Sequence, residues 1–488
     1  MDVESFRRDG HQLIDWIADY LAHPERYPVL AQVEPGQVKA SLPAEPPEGP
    51  ESLETVLQDV ENVIVPGLTH WNHPGFFGYF GITGSGPGIL GELLSSAFNV
   101  NAMLWRTSPA ATELEEVVLD WLRQLLGLPS EFLGIINDSA SVSSLCAIAV
   151  AREAQGLRIR EEGLAGRPDL PRLRLYTSEQ AHSSIEKAAI VLGVGQAGVT
   201  KIAVDEQFRL RSEVLEAAIK QDLKAGWTPF CVVATVGTTS TTSVDPVPEI
   251  AEICQRYKLW LHVDAAYAGA AAILPEKRWA LAGCERADSI VVNPHKWLFV
   301  PLDCSALYCR DPGVMKQAFS LVPEYLRTPE EDRVRNFMDY GIQLGRRFRA
   351  LKLWMVLRAF GSEGLRQHLR AHIALAERFR GWVEASPDFE LLAPVPFSVV
   401  CFRHRPGGLP ENGETEAYLN RLNEQLLEGV NGTGEVFLSH TQLNGRFTLR
   451  LAIGNLRTTE VHVRRAWELL QAHAGRLDAE LRPAALRA

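Results

Sequence analysis

The sequence predicts an α/β protein whose large domain holds a mainly parallel β-sheet, preceded by a helical arm and followed by a smaller α+β domain. From residue 86 to residue 360, apolar runs of strand length alternate with amphipathic runs of helix length, which is typical of βα units. After residue 361, strand-like runs lie between helices, which favours a small domain with an antiparallel sheet. We therefore predict an arm over 1–85, a large domain over 86–360 and a small domain over 361–488.

The composition excludes several functional classes. The chain has 488 residues, 46% of them hydrophobic, and a formal net charge of −11. A negative balance of this size argues against nucleic acid and anionic membrane as partners. The sequence shows neither a signal-peptide order at its start nor an apolar run long enough to cross a bilayer. The seven cysteines form no C-x-x-C motif, so we expect reduced core residues and a cytoplasmic protein.

The N-terminal arm is predicted to contain two amphipathic helices, over about 5–21 and about 53–65, joined by a proline-rich connector over 27–50. Phe6 and Leu13 belong to the apolar face of the first helix. Such an arm has little core of its own, so a partner subunit could supply the surface that covers it.

The other predicted elements follow in chain order. In the large domain we predict helices over 112–126, 143–162, 184–192, 212–225 and 247–257, and strands over 173–177, 199–204, 230–236 and 259–264, with another strand ending near 292. In the small domain we predict a long helix after 361, strands over 389–392, 398–402, 435–439 and 446–452, and helices over 416–427 and from 459.

The most informative stretch is Val291 to Leu298, which contains a lysine just after a strand. The β-branched run ends at Asn293-Pro294, so Lys296 is expected at the carboxyl end of a strand, where open α/β sheets bind their ligands. Apolar neighbours lower the pKa of such an amine and make it a nucleophile toward an aldehyde. The ordinary alternative is a lysine that extends its head group into water at the sheet edge.

A second buried strand delivers Asp264, which precedes Lys296 by 32 residues. That spacing is about one strand-crossover-strand unit, so both residues could reach one crevice. A buried carboxylate needs a cationic partner, and the pyridinium nitrogen of pyridoxal 5'-phosphate (PLP) is one. Proteins that bind this cofactor recurrently use two residues: a lysine that binds its aldehyde group and an aspartate that pairs with its ring nitrogen.

Two long motifs carry a family resemblance: Asn-Pro-His-Lys-Trp at 293–297 and His-Val-Asp-Ala-Ala-Tyr-Ala-Gly at 262–269. With them stand His70-Trp71, Gln-Ala-His-Ser-Ser at 180–184 and Leu-Gly-Arg-Arg-Phe-Arg at 344–349. Together they resemble the group II PLP-dependent decarboxylases, specifically the aromatic L-amino-acid decarboxylase family. The resemblance implies PLP as cofactor, the fold of the type I PLP-dependent transferases, and a homodimer with active sites at the subunit interface.

The segment 137–144 leads into an apolar helix and is rich in hydroxyl groups. A helix start of this kind can bind a phosphate, although plain N-capping by a serine explains it as well. The resemblance assigns Ala140 and Ser141 to the cofactor phosphate, with Asn293 as a further donor. Val142 stands where the family usually has an acidic residue, so this part of the loop departs from the pattern.

The remaining cofactor residues are also assigned by the resemblance. A lone histidine is ordinarily a satisfied surface or core residue, but His182 matches the family imidazole that stacks on the pyridine ring and approaches the substrate carboxylate. Thr235 and Ala266 match positions beside the ring. His295, next to the lysine, would approach the cofactor phosphate or the substrate.

The substrate pocket is expected to be aromatic. The resemblance assigns Trp71 and Tyr79 to its walls, together with His182, and Met103 as a contribution from the partner chain. Gly345 leaves room for a ring, which suits a phenol, catechol or indole side chain. The sequence does not rank tryptophan, tyrosine, phenylalanine and dihydroxyphenylalanine.

Competing motifs are weak. Residues 84–88 do not match the dinucleotide fingerprint G-x-G-x-x-G, and His70 and His73 have no matching second ligand pair for zinc. A dimeric scaffold with a dead site is disfavoured because Lys296, Asp264 and His182 are all present.

The segment from about 323 to 340 has little apolar content and is predicted to be a mobile lid, with a solvated linker as the alternative. Its charged residues include Glu324, Arg327, Glu330, Glu331, Asp332, Arg333 and Arg335. In the family a tyrosine of this lid donates the Cα proton, and an ungapped alignment places Phe337 there. Phenylalanine has no proton to donate, so an oxygen-dependent route to an aldehyde is the alternative to amine formation. Tyr340, three residues on, or another register of the loop would restore the amine route.

Overall fold

The computed structural model describes residues 1–321, 328–330 and 333–486. Numbered along the chain, the strands are β1 (Phe76–Phe77), β2 (Leu133–Asn137), β3 (Arg172–Ser178), β4 (Val199–Ile202), β5 (Trp227–Thr235), β6 (Trp260–Asp264), β7 (Ser289–Val292), β8 (Ser305–Cys309), β9 (Phe389–Leu391), β10 (Val399–His404), β11 (Phe437–Leu443) and β12 (Arg446–Ala452).

The α-helices, numbered in the same way, are α1 (Val3–Ala22), α2 (Gln37–Ser41), α3 (Leu53–Asp59), α4 (Gly86–Phe98), α5 (Pro109–Leu126), α6 (Ala140–Glu153), α7 (Ile159–Glu162), α8 (Ser183–Val191), α9 (Ser212–Lys224), α10 (Val247–Tyr257), α11 (Pro294–Trp297), α12 (Pro312–Phe319), α13 (Arg349–Ala385), α14 (Gly413–Asn431) and α15 (Glu460–Leu481).

The chain divides into two compact units. One comprises 82–374 and 393–399, and the other comprises 1–81, 375–392 and 400–488. The predicted three-part division at 85/86 and 360/361 stays a prediction.

The first unit contains a seven-stranded sheet in the order β2-β8-β7-β6-β5-β3-β4. Neighbouring strands from β7 to β4 are parallel, and β8 is antiparallel to both β7 and β2. The mainly parallel sheet is therefore confirmed. Its central strands β6, β7 and β8 are buried at every position, as expected for a sheet covered by helices on both faces.

Some elements of this unit differ from the prediction. The helix predicted over 143–162 ends at Glu153, because Gly156 adopts a left-handed backbone (φ 67°), and a separate turn of helix begins at Ile159. Sequence patterns missed α4, β2 and β8. The two strands are five residues long and contain Gly134 and Ser305, so they lack a clear run of β-branched residues.

The second unit contains a five-stranded sheet in the order β1-β11-β12-β10-β9. The pairs β9–β10 and β11–β12 are antiparallel, as predicted for the small domain. Strand β1, from the part of the chain predicted as the arm, adds to the edge in parallel with β11. This addition was not predicted, because Phe76–Phe77 is too short to show a periodic pattern.

The N-terminal helices bury little surface within the chain. Helix α1 contains no buried residue, and Phe6 is 63% exposed. The second predicted helix is regular only to Asp59 and then loosens into a π-helical turn over Val60–Ile64. Their apolar faces still need a covering surface.

Candidate active site

The carboxyl ends of β5, β6 and β7 bring several predicted site residues to one edge of the sheet. Thr235 ends β5 and lies directly opposite Asp264, which ends β6. Asp264 is in turn opposite Val291 of β7, and the chain leaves β7 through Asn293 into α11. Asp264 and Lys296 therefore follow neighbouring strands at one edge, as their spacing predicted.

Lys296 lies in α11, where its backbone N–H donates to the carbonyl oxygen of Asn293 at 3.0 Å. Its side chain is half-buried. The next residue, Trp297, is fully buried, donates its Nε1 proton to His372 at 3.0 Å and stacks on Tyr267 with 4.8 Å between ring centres. This packing fixes the turn that presents the lysine.

Asp264 is a buried carboxylate, 6% exposed, and its Oδ1 accepts the backbone N–H of Ala266 at 3.1 Å. Two residues earlier in β6, the ring of His262 is fully buried and its Nδ1 lies 2.9 Å from Ser289 Oγ. Burial lowers the pKa of His262 to about 4, so this ring is neutral at pH 7. The neutral ring leaves the Asp264 carboxylate to pair with a cationic group at the sheet edge.

His182 is the N-cap of α8. Its Nδ1 accepts the backbone N–H of Ser184 at 3.2 Å, so the proton of the neutral imidazole is assigned to Nε2. Desolvation lowers the pKa of His182, Asp264 opposes this shift, and Lys296 lowers the pKa further. The pKa of the imidazole therefore responds to the charges of both residues.

Two buried polar atoms at this edge have no hydrogen-bond partner among the described residues, Thr235 Oγ1 and Asn293 Oδ1. Buried polar groups are nearly always paired, so both atoms indicate a ligand. His295 Nδ1 accepts the backbone N–H of Cys304 at 2.8 Å, so its Nε2, 3.3 Å from Asn293 Nδ2, carries the proton. The Asn293 amide is then better oriented with its oxygen toward His295 and its NH2 group as the ligand donor.

His295 is itself held within the protein. It is buried, and burial together with the Lys296 charge lowers the pKa of His295 to about 3, so the ring is neutral. Its contacts with Cys304 and Asn293 make it a support for Asn293. The predicted approach of His295 to cofactor or substrate stays a prediction.

The predicted phosphate loop begins α6. Ser139 caps the helix, since its Oγ accepts the backbone N–H of Val142 at 3.4 Å and donates to Asp138 at 2.9 Å. The backbone N–H groups of Ala140 and Ser141 belong to the first turn, which has the positive end of the helix dipole. The two predicted explanations, N-capping and anion binding, are thus compatible at this helix.

Trp71 and Tyr79 belong to the second unit, where they stack with 5.6 Å between ring centres and 15° between planes. Trp71 also lies 4.4 Å from the ring centre of Phe76. Asn455, which the sequence did not single out, donates to the carbonyl oxygens of Trp71 and His73 at 3.2 and 3.0 Å. The two predicted substrate residues form one aromatic surface.

Met103 and Gly345 lie in the first unit. The carbonyl oxygen of Met103 accepts the backbone N–H of Met338 at 3.1 Å. Near Gly345, a Cβ atom would meet only Asn101 Nδ2, at 3.9 Å, among the described residues. An added Cβ would thus be in ordinary contact only, and the predicted room for a substrate ring stays a prediction.

Phe337, which the sequence places in the predicted mobile lid, is 1% exposed. It packs in the apolar core with Ile135 and Cys146, and the guanidinium of Arg346 lies 4.8 Å from its ring centre. Residues 336–339 are all buried, so this end of the segment packs against the core, and the mobile lid stays a prediction. Glu324, Arg327, Glu331 and Asp332 lie outside the described residues.

Sequence reasoning missed two buried acidic residues that organise this region. Asp245 accepts the backbone N–H groups of Thr235 and Leu210, each at 2.8 Å, and burial raises its pKa to about 6. Glu115 pairs with Arg346 at 2.6 Å, with both side chains buried. Their partners are far along the chain, so no local pattern identifies them.

Comparison with known proteins gives a consistent assignment. The family described as the pyridoxal-dependent decarboxylase conserved domain matches residues 35–405. The chain is 44% identical to tyrosine decarboxylase 3 of Petroselinum crispum, over 98% of this chain and 93% of that protein. This chain belongs to the pyridoxal-dependent decarboxylase family.

Two further relatives show the range of this decarboxylase family. The chain is 42% identical to the phenylacetaldehyde synthase of a Rosa hybrid cultivar, over 97% and 94% of the two chains. A crystal structure of Oryza sativa TDC with PLP and tryptamine superposes with a TM-score of 0.93 at 38% identity and covers 98% and 99% of the two chains. The protein is a PLP-dependent carboxy-lyase, and PLP is its cofactor.

The residues present fit PLP. The unpartnered atoms of Thr235 and Asn293 are polar, Asp264 is a buried carboxylate that suits a ring nitrogen, and Lys296 is an amine at the same edge. Within the described residues, no group of three or more His, Cys, Asp and Glu side chains could hold a metal ion. No described helix has the length and apolar content needed to span a membrane.

Proposed function

We propose that this decarboxylase releases CO2 from an aromatic L-amino acid and forms the corresponding amine. The observation that carries the proposal is the stacked pair of Trp71 and Tyr79, of which Tyr79 is 55% exposed, on a segment that the family resemblance assigns to the substrate. Large exposed aromatic surfaces bind planar side chains well. Relatives named as a tyrosine decarboxylase and a structure with tryptamine support the same substrate class.

We propose the following roles for the residues at the sheet edge. When bound, PLP supplies an electron sink for the bond between Cα and the carboxylate. Lys296 would hold the cofactor through its amine, and Asp264 would keep the proton on the ring nitrogen. His182, a neutral imidazole with its proton on Nε2, would lie against the ring and approach the substrate carboxylate.

The phosphate end is anchored by the first turn of α6 and by the Asn293 amide. Ala140 and Ser141 would donate backbone N–H groups, and Asn293 would donate its NH2 group. Ala266, whose N–H orients the Asp264 carboxylate, and Thr235, whose hydroxyl is unpartnered, would contact the ring. Anchoring at both ends would fix the orientation of the cofactor, and a fixed orientation speeds the reaction of a bound substrate.

The alternative product is an aromatic aldehyde, formed when O2 and water convert the amino acid to aldehyde, CO2, ammonia and hydrogen peroxide. The observations that favour it are Phe337, which stands in the predicted proton-donor position, and the similarity to a phenylacetaldehyde synthase. The buried place of Phe337 weakens the first point, because an anchored core ring is poorly placed to define a lid. Tyr325, which lies outside the described residues, and half-buried Tyr340 are hydroxyl donors in the same segment.

We further propose a homodimer with its active sites at the subunit interface and Met103 contributed across it. Helix α4 exposes an apolar stripe, Leu90, Leu93, Leu94 and Phe98, each between 41% and 57% exposed. A continuous stripe at helical spacing indicates a covered interface. Sedimentation at micromolar concentration should give a dimer, and Leu94→Glu should give monomers with little activity.

A cytoplasmic location is proposed from the cysteines. All seven are buried and none forms a disulfide, which suits a reducing compartment. The net charge of −11 supports the absence of nucleic acid and anionic membrane partners.

The deciding experiment is product analysis with tryptophan, tyrosine, phenylalanine and dihydroxyphenylalanine under air and under nitrogen. CO2 with amine in both atmospheres supports the proposal. Aldehyde and peroxide that disappear under nitrogen support the alternative, and the absence of CO2 from all four substrates overturns both.

A further inference from the structure

Tyr79 is a bulky residue that combines a left-handed backbone with an exposed ring. Its backbone is in the left-handed region, with φ of 49°, and its ring is 55% exposed. Bulky residues adopt this region only where surrounding contacts hold them, and such strain concentrates at functional positions. The question is which groups hold Tyr79.

Both backbone polar groups of Tyr79 are bound by one cross-strand pair. The N–H of Tyr79 donates to Ser439 Oγ at 3.1 Å, and its carbonyl oxygen accepts a hydrogen bond from the Arg450 guanidinium. Ser439 of β11 and Arg450 of β12 are directly opposite each other in the sheet. Arg450 also donates to Ser439 Oγ at 3.5 Å, so the two side chains support each other.

The side chain of Arg450 has little conformational freedom. It is 3% exposed, and its guanidinium lies 4.7 Å from the ring centre of Phe80, the residue after Tyr79. A buried arginine with hydrogen bonds in a fixed planar fork positions its acceptor more rigidly than a lysine does. The conformation of Tyr79 is thus set by residues 360 and 371 positions away.

Close backbone packing supports the same conclusion. A Cβ at Gly78 would lie 2.5 Å from Phe437, and one at Gly75 would lie 2.5 Å from the carbonyl oxygen of Glu435. A side chain at Gly75 would therefore collide with backbone just before β11, and one at Gly78 would have to displace the Phe437 ring. The Tyr79 ring packs against this sheet, with 6.0 Å between its centre and the ring centre of Phe437.

We propose that Ser439 and Arg450 are positioning residues for substrate selection: they hold Tyr79 so that its ring, stacked on Trp71, forms a rigid surface for an aromatic side chain. A surface ordered before binding loses less entropy when the substrate binds. Loosening it removes binding that is the same in ground state and transition state, which raises KM and leaves kcat nearly unchanged. This inference rests on the proposed aromatic substrate.

The test compares Ser439→Ala, Arg450→Met and Arg450→Lys in the PLP-loaded enzyme, with Arg446→Met as the control. Arg446 is an exposed arginine on the same strand, and its nearest carboxylate is Glu416 at 3.8 Å. We expect KM for the preferred aromatic amino acid to rise about tenfold in Ser439→Ala and Arg450→Met, with kcat within about twofold of wild type. Arg450→Lys should recover part of the loss, and Arg446→Met should match wild type.

A second background separates positioning from a general structural role. In Tyr79→Ala there is no ring to position, so adding Ser439→Ala should change KM by less than about twofold. An equal KM increase in both backgrounds, or no increase in either, overturns the inference. If Arg450→Met fails to fold, the KM values of Ser439→Ala and Arg450→Lys still test the inference, with PLP absorbance and Tm as checks on folding.

A wild-type enzyme that converts no aromatic amino acid overturns the proposed function and this inference together. An active wild-type enzyme whose variants have unchanged KM overturns the inference alone.

Discussion

Thr235, Asp264 and Asn293 stand at the ends of three adjacent strands, whereas Trp71 and Tyr79 lie on a segment held by strand residues far along the chain. At the sheet edge, each functional side chain follows directly from a local pattern of strand, turn and helix. In the aromatic segment, the conformation depends on Asn455 and on the Ser439 and Arg450 pair. The difference teaches that the residues proposed for the chemistry come from local motifs, whereas the surface proposed for substrate selection depends on long-range contacts.

The sharpest test of the sheet edge is Lys296→Ala. Without the amine, the cofactor loses its covalent attachment and the enzyme loses its nucleophile. The kcat should therefore fall by at least about 10³-fold. The visible absorption of lysine-bound PLP should also disappear. Retained activity in Lys296→Ala, measured as CO2 release, would place the nucleophile elsewhere.

Asp264→Asn should have the next largest effect. The amide keeps the size of the side chain but removes the charge that holds a proton on the ring nitrogen, so kcat should fall about 10²-fold. Bound PLP, measured after desalting, should remain near wild type because Lys296 is unchanged. Asp264→Glu, which keeps the charge, should lose less kcat than Asp264→Asn, and the reverse order would contradict the assigned role.

Phe337 and Tyr325 test where the product is decided. Because Phe337 is buried, Phe337→Tyr places a hydroxyl in an apolar core and should lower the free energy of unfolding by about 1–3 kcal/mol, with an unchanged product. Tyr325→Phe removes a hydroxyl from the same segment and should raise the ratio of aldehyde to amine under air. A switch of product in Phe337→Tyr alone would support the aldehyde alternative.

Acid stability should depend on the neutral His262 behind Asp264. Its folded-state pKa of about 4 lies below the ordinary value near 6.5, so the unfolded chain binds more protons between these values and stability falls as the pH falls. This one residue should remove about 2 kcal/mol of stability between pH 7.5 and pH 5. Urea unfolding at both pH values should show a smaller pH difference for His262→Gln than for wild type.

Gly345→Ala should have the smallest effect. The nearest described atom to the added Cβ is Asn101 Nδ2 at 3.9 Å, which is ordinary contact. We expect kcat/KM for the preferred substrate to change by less than about threefold and Tm to stay constant. A large loss for tryptophan but not tyrosine would show that the space at Gly345 selects between their rings.

Much of the fold and site could be predicted from the sequence, for a physical reason. Period-two and helical apolar patterns are local, so β5, β6, α10 and β12 were predicted to within three residues at each end. Lys296, Asp264 and His182 follow strands in recognisable motifs, and the pKa of His182 responds to the charges of the other two. Their catalytic roles stay predictions for the experiments above.

Other features could not be predicted because they depend on residues distant in sequence. The burial of Phe337 depends on Arg346 and on core residues such as Ile135 and Cys146, which an ungapped alignment does not register. The addition of β1 to β11 depends on pairing across more than 350 residues. Asp245 and Glu115 are ordinary surface-type residues until the fold buries them.

The sequence by itself determined the family, the cofactor and the strand ends where chemistry is placed, because short-range geometry and motif chemistry suffice for these. Only the tertiary structure decided which polar atoms lack partners, which end of the lid segment is anchored and how the Tyr79 backbone is held. These properties come from side chains that meet only after folding. Burial then removes water, so each polar group can form hydrogen bonds only with the protein groups around it.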